Sequence, residues 1–135
     1  MARLNDRTIK ALRASELVPL ATASSRGIPN VIPIKFVIVE SQEVLWLVDN
    51  FLNKTLDNIQ CNPHAAIYVY SSEDNLCVQI KGTIEIQTSG PDFERMRDIV
   101  HATRPDLPAK SLVVMRITDQ FQCMPGPDAG IRIEP

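Results

Sequence analysis

Leu76 to Thr88 alternates apolar and polar side chains with a period of two over thirteen positions. Leu76, Val78, Ile80, Ile84 and Ile86 fall on one side. Cys77, Gln79, Lys81, Thr83, Glu85 and Gln87 fall on the other. A helix would scatter those side chains around its axis, so the segment reads as a strand with one buried face. Gly82 interrupts its middle. A glycine inside a strand marks a bulge, a sharp bend, or the approach of another group to the backbone.

The remaining elements are placed around this strand. Asp6 to Ser15 reads as a short helix with Ile9 and Leu12 on one side. Leu17 to Ala23 is a strand, Ser24 to Pro29 a turn, and Asn30 to Val39 a hairpin return. A polar turn, Glu40 to Glu43, leads to a third strand, Val44 to Val48. Lys54 to Gln60 reads as a helix with Asn53 as its cap and Leu56 and Ile59 on one face. Asn62-Pro63 stops it, His64 falls in the following loop, and Ala66 to Tyr70 is the next strand. Gly90-Pro91 opens a helix with Phe93, Met96 and Val100 inward, and Asp92 and Glu94 favour its positive end. Arg104-Pro105 ends that helix, with His101 near its C-terminus. Leu112 to Thr118 is the last strand, and Met124 to Gly130 is irregular.

Six strands with short helices predict an α+β, mainly β chain: a closed or nearly closed antiparallel barrel in one domain, residues 1–135. Hydrophobic residues make up 44% of the 135 residues, enough for one core, while aromatics are 5%, so aliphatic side chains must fill most of it. The second strand is apolar on both faces: Ile32, Ile34, Phe36 and Ile38 on one, Val31, Val37 and Val39 on the other. The outer face of a small barrel ordinarily meets water, so a partner subunit or a cofactor is expected to cover it.

Several function classes lose support. The net charge of −2 and pI near 5.6 argue against nucleic acid as the partner, because phosphate binding needs a basic surface. The polar start, Met1 to Lys10, has no signal-peptide core, and Val31 to Val39 is too short to span a bilayer, so a soluble, cytoplasmic protein is expected. Cys61, Cys77 and Cys123 are odd in number and widely spaced, which suggests neither a disulfide framework nor a zinc site. Neither histidine stands at ligand spacing, so no metal is expected. The Gly-rich nucleotide loops, the serine elbow and paired catalytic carboxylates are all absent.

The segment Asp49-Asn50-Phe51-Leu52-Asn53-Lys54-Thr55 remains. A strand ends and a Lys-Thr pair opens a helix. First-turn N–H groups bind anions, and a Lys and a hydroxyl there complete a phosphate site. The plain alternative is a solvated lysine and a capping threonine.

Asn30-Val31-Ile32-Pro33-Ile34-Lys35-Phe36, the stretch Asn50-Phe51 through Asn58-Ile59 with Asn62-Pro63, Val78 to Glu85, Ser89-Gly90-Pro91 and the tail Pro125 to Gly130 occur in an order and spacing that resemble the small members of the pyridoxamine 5'-phosphate oxidase-like, FMN-binding split-barrel superfamily. The resemblance covers most of the chain. It implies a six-stranded antiparallel split β-barrel with short flanking helices, working as a homodimer with FMN near the interface. It implies that Lys54 and Thr55 hold the FMN phosphate and that Asn53 shapes the turn. Pro33, Ile34 and Lys35 would line the flavin ring, with Asp49 and Asn50 beside it. Gln79 and Lys81 would reach the cofactor across the dimer, or else form exposed barrel surface. Two departures stand out: Lys54-Thr55 replaces a pair of basic residues frequent in larger members, and Cys77 replaces a frequent glutamine. The implied function is an FMN-dependent oxidoreductase or flavin reductase. The alternatives are a non-enzymatic electron carrier and a deazaflavin-binding relative. The C-terminal Arg- and Trp-containing segment that holds pyridoxal phosphate in true oxidases has no counterpart here, so that activity is not expected.

Overall fold

The computed structural model describes residues 2–134. Its elements, in order, are α1 (Asp6–Ala14), β1 (Val18–Ala23), β2 (Pro29–Ile34), β3 (Val37–Val39), β4 (Val44–Asp49), α2 (Lys54–Cys61), β5 (His64–Ser71), β6 (Leu76–Gln87), α3 (Pro91–Thr103) and β7 (Ser111–Gln122). The seven strands form one antiparallel sheet in the order β2-β1-β5-β6-β7-β4-β3.

The hairpin return predicted over Asn30 to Val39 is two strands, which is why there are seven rather than six. β2 and β3 lie at opposite edges of the sheet yet are joined only by Lys35 and Phe36. A two-residue link cannot cross a flat seven-stranded sheet, so the sheet curls until its edges face each other across a seam. The side-chain parity records the break. Ile32 and Ile34 pack inward from β2, whereas Val37 and Val39 pack inward from β3.

Two cores result. The inner one is aliphatic: Leu20, Leu45, Leu47, Ile67, Val69, Ile80, Val113, Met115 and Ile117, closed by Leu12 of α1 and Ile59 of α2. The outer one lies where α3 sets Phe93, Met96 and Val100 against Trp46, Val48, Leu112 and Val114. Arg95 anchors that helix, its guanidinium 4.3 Å from the Trp46 ring and bonded to both Glu40 carboxylate oxygens at 3.0 and 2.7 Å. Phe36 and Ile38 pack against this outer cluster. Helix α3 of the same chain therefore covers much of the face for which a partner subunit or a cofactor was expected, and Val37 points inward. Val31 stays open, at 67% exposure.

Gly82 combines a bulge with a close approach. The β6–β7 register shifts between Lys81 and Gly82, so that Lys81 faces Asp119 while Gly82 faces Ile117. A Cβ at Gly82 would stand 2.4 Å from the Arg116 carbonyl oxygen. The extra residue, Thr118, reverses the parity of β7 and turns Gln120 inward, where its amide donates to the Arg3 carbonyl at 2.8 Å. His64, read as a loop residue, begins β5 and is exposed. His101 lies in the last turn of α3 with Nε2 2.8 Å from the Leu107 carbonyl.

Candidate functional site

The seam holds a cavity of about 420 Å³ lined by Leu17, Ile32, Pro33, Ile34, Lys35, Phe36, Val48, Asn50, Phe51, Leu52, Arg104 and Leu107. That volume falls within the range of small-molecule sites, and the wall is mainly apolar with a few polar groups, as such sites require. β2 pairs only with β1, so its other edge offers unpaired backbone groups along the seam.

Phe51 and Leu52 lead from the cavity directly into α2. The Asn53 side chain, expected as the cap, makes no capping hydrogen bond. Lys54 is exposed and has no ion pair or hydrogen bond among the described residues. Thr55 is buried, and its Oγ1 accepts from the Asn30 amide at 3.0 Å. The same Asn30 amide reaches Thr22 Oγ1 at 3.3 Å, and the Asn58 amide reaches that hydroxyl at 3.1 Å. Thr22, Asn30, Thr55 and Asn58 thus fasten the start of α2 to the edge strand β2. The Thr55 hydroxyl accepts in this network, which leaves its proton available as a donor.

The predicted site residues separate into groups. Pro33, Ile34, Lys35 and Asn50 line the seam cavity, and Asn53, Lys54 and Thr55 follow it at the head of α2. Asp49 does not line it. Its carboxylate is buried, accepting from Ser111 Oγ at 2.8 Å and from the Leu52 N–H at 2.9 Å, and so ties the turn between β4 and α2 to β7. Asn50 has a comparable scaffold task, since its Oδ1 accepts from the Ala109 N–H at 2.9 Å, and Ala109 has a left-handed φ of 43°.

Gln79 and Lys81 line a separate, more open cavity of about 390 Å³ with Phe121, Gln122, Cys123, Ala129 and Gly130. Within one chain they share no wall with the seam.

Leu17, Arg104 and Leu107 are contacts that the sequence did not single out. Arg104 bonds Asp106 at 3.0 Å through both Nε and Nη2, which raises its pKa and holds the Asp106 carboxyl below the usual carboxylate range. It reaches the seam only because α3 packs across β4, and local spacing carries no sign of that. Cys77 and Cys123, read as widely spaced, are neighbours across β6 and the end of β7, with sulfurs 2.6 Å apart.

The sequence pattern of the family described as "Pyridoxamine 5'-phosphate oxidase" matches residues 4–123. An uncharacterised protein of Methanocaldococcus jannaschii is 36% identical over 132 residues, covering 96% of this chain and 87% of that one. Among solved structures, HupZ of Group A Streptococcus superposes with a TM-score of 0.80 at 22% identity, over 94% of this chain and 99% of that one. An FMN-binding protein of Syntrophomonas wolfei gives 0.69 at 15% identity, over 86% and 83%. A protein named F420 reductase gives 0.64 at 21% identity, over 87% and 98%. At these identities the superpositions establish the fold, a curled, split antiparallel barrel. The sequence match runs through every strand of the sheet, and on that ground the chain belongs to the pyridoxamine 5'-phosphate oxidase family.

Proposed function

We propose that this chain is an FMN-binding flavoprotein with a redox role. The observation that carries the reading is the head of α2, an uncapped first turn with an unpaired lysine opening directly from an apolar cavity. Such a turn supplies N–H donors, the helix dipole favours an anion, and Lys54 adds a point charge. Thr55, held by Asn30, adds a hydroxyl donor. The unpaired edge of β2 can hydrogen-bond a flat polar ring, and Pro33 and Ile34 give that ring apolar contact. FMN, when bound, supplies the electron chemistry, while the protein binds, orients and shields it. The FMN-binding relative of Syntrophomonas wolfei supports this choice of ligand.

In this reading a second copy of the chain completes the site. Val31, at 67% exposure, and Phe51, at 78%, flank the seam as open apolar surface. Gln79 and Lys81, which cannot reach the seam within one chain, would approach it from the partner. Sedimentation equilibrium should give about twice the 15.1 kDa chain mass. Val31→Asp should weaken both association and flavin uptake, and a flavin-loaded monomer would contradict this arrangement.

The direct test of the cofactor is titration of the purified protein with FMN, followed by quenching of flavin fluorescence. Saturation at one FMN per chain supports the reading, and absence of uptake rejects it. Steady oxidation of a reduced nicotinamide by the loaded protein would favour a reductase. Flavin that only dithionite reduces would favour an electron carrier. Pyridoxamine 5'-phosphate should be a poor substrate, because Arg132, the cation nearest the tail, is already paired with Asp119 and stacked on Phe121. A second reading, a deazaflavin in place of FMN, rests on the F420 reductase neighbour, and the same titration with F420 distinguishes it.

A further inference from the structure

We propose that Cys77 and Cys123 form a reversible disulfide that locks the segment after β7 onto β6. Three observations meet at this pair. The ladder pairs Val78 with Gln122, and one step further the Cys123 N–H donates to the Cys77 carbonyl at 3.0 Å. Directly opposed residues of an antiparallel pair have Cα atoms about 4.5–5.5 Å apart, inside the disulfide window. Opposed residues also project from the same face, and the two sulfurs are in contact at 2.6 Å. The ladder therefore brings the two thiols together on one face of the sheet. Cys61, on α2, is exposed and takes no part.

The consequence lies in the second cavity. After Cys123 the chain folds back on β7. The Gly130 N–H donates to the Gln122 carbonyl at 2.7 Å, the Gln122 N–H to the Ile131 carbonyl at 2.8 Å, and the Ile133 N–H to the Gln120 carbonyl at 2.8 Å. This returning segment supplies Cys123, Ala129 and Gly130 to the wall facing Gln79 and Lys81. A bond from Cys123 to Cys77 fixes the root of that wall, and reduction leaves it held by hydrogen bonds alone.

The oxidant is a small-molecule disulfide. Cys123 is the more accessible thiol and reacts first. It gives up its proton and attacks one sulfur of the small disulfide. That S–S bond breaks, and the departing half takes up a proton as a thiol. Cys77 then loses its proton and attacks Cys123 Sγ, forming the protein disulfide and releasing the second small thiol. Two protein thiols are oxidised and one small disulfide is reduced to two thiols. Burial, with the neighbouring thiol, pushes Cys123 up to about 12, so exchange at neutral pH is slow and the titration has to run to equilibrium.

The experiment equilibrates the full chain across ratios of reduced to oxidised glutathione, quenches in acid, and alkylates the denatured protein for intact-mass analysis. Fully reduced protein should take up three alkyl groups, one per cysteine. Oxidised protein should take up one, on Cys61, with peptide mapping joining Cys77 to Cys123. Oxidation should raise Tm by about 5 °C or more. Cys61→Ser should titrate as the wild type does, and Cys123→Ser should lose the transition. Should Cys123→Ser fail to fold, the wild-type alkyl count and peptide map decide alone. Three reactive thiols at a ratio that oxidises a control dithiol, or a bridge through Cys61, would overturn the proposal.

Discussion

Helices α1 and α2 begin in opposite ways. At α1 the Asn5 side chain accepts from the Thr8 N–H at 2.9 Å, and Asp6 adds a negative charge to the first turn. Both features satisfy the free N–H groups and the positive end of the helix dipole. At α2 the Asn53 side chain makes no capping bond, and the first helical residue is a lysine, a cation at the positive end that Asp57, later in the same turn, partly offsets. A missing cap costs about 1 kcal/mol. In the function proposed above, an anion arriving from outside offsets that loss. The capped start then belongs to the fold, and the uncapped start, beside the seam, is the place proposed for the ligand's phosphate.

Substitutions can sharpen or break this division. The largest effect should come from Gly82→Ala, which forces a Cβ against the fixed Arg116 carbonyl on the wall away from the seam. We expect a loss of about 3 kcal/mol and a Tm drop of about 10 °C by calorimetry. Wild-type stability would mean that the Arg116 carbonyl gives way and that the bulge does not require a glycine.

The next pair compares two buried threonines. Thr55→Val removes the acceptor of Asn30 and a donor from the head of α2, so it should cost about 1–2 kcal/mol in urea unfolding and weaken FMN binding as well. Thr8→Val at α1 deletes a buried hydroxyl that has no partner among the described residues, so stability should hold or rise. Equal losses at both sites would erase the distinction.

Smaller again, Asn5→Ala should cost about 1 kcal/mol with no effect on FMN, because its side chain is a cap and nothing more. Asn53→Ala should leave stability within about 0.5 kcal/mol, since there is no capping bond to lose. A large loss at Asn53 would show that α2 is capped after all.

Much of this architecture was legible in the sequence because its signals are local. The alternation of Leu76 to Thr88 marked β6, Gly82 marked the bulge, and Gly90-Pro91 marked the start of α3. The split of Asn30 to Val39 into β2 and β3 was not legible, because both halves are apolar on both faces and only sheet closure separates them. The second apolar face of this stretch pointed to a partner subunit or a cofactor, whereas Phe36 and Ile38 are covered by α3, far onward in the chain and placed by tertiary packing. At the site, Lys54 and Thr55 stood out because residue type and helix start coincide. Asp49 stood out for its position at a strand end, yet its carboxylate turned inward to Ser111, a contact between distant segments that no spacing encodes. The nearness of Cys77 and Cys123 was hidden for the same reason, since the pairing of β6 with β7 creates it.

The most direct test is the ratio of FMN to riboflavin affinity, measured by fluorescence titration in the wild type and in Lys54→Ala. The two ligands share the ring and ribityl chain and differ in the phosphate, so the ratio isolates the head of α2. A charge-assisted phosphate contact is worth roughly 1.5–3 kcal/mol. The wild type should therefore prefer FMN by about tenfold or more, and Lys54→Ala should lose most of that preference while its riboflavin affinity stays unchanged. Equal affinity of the wild type for both ligands, or a preference that survives in Lys54→Ala, would contradict the assignment of this helix start as the phosphate site.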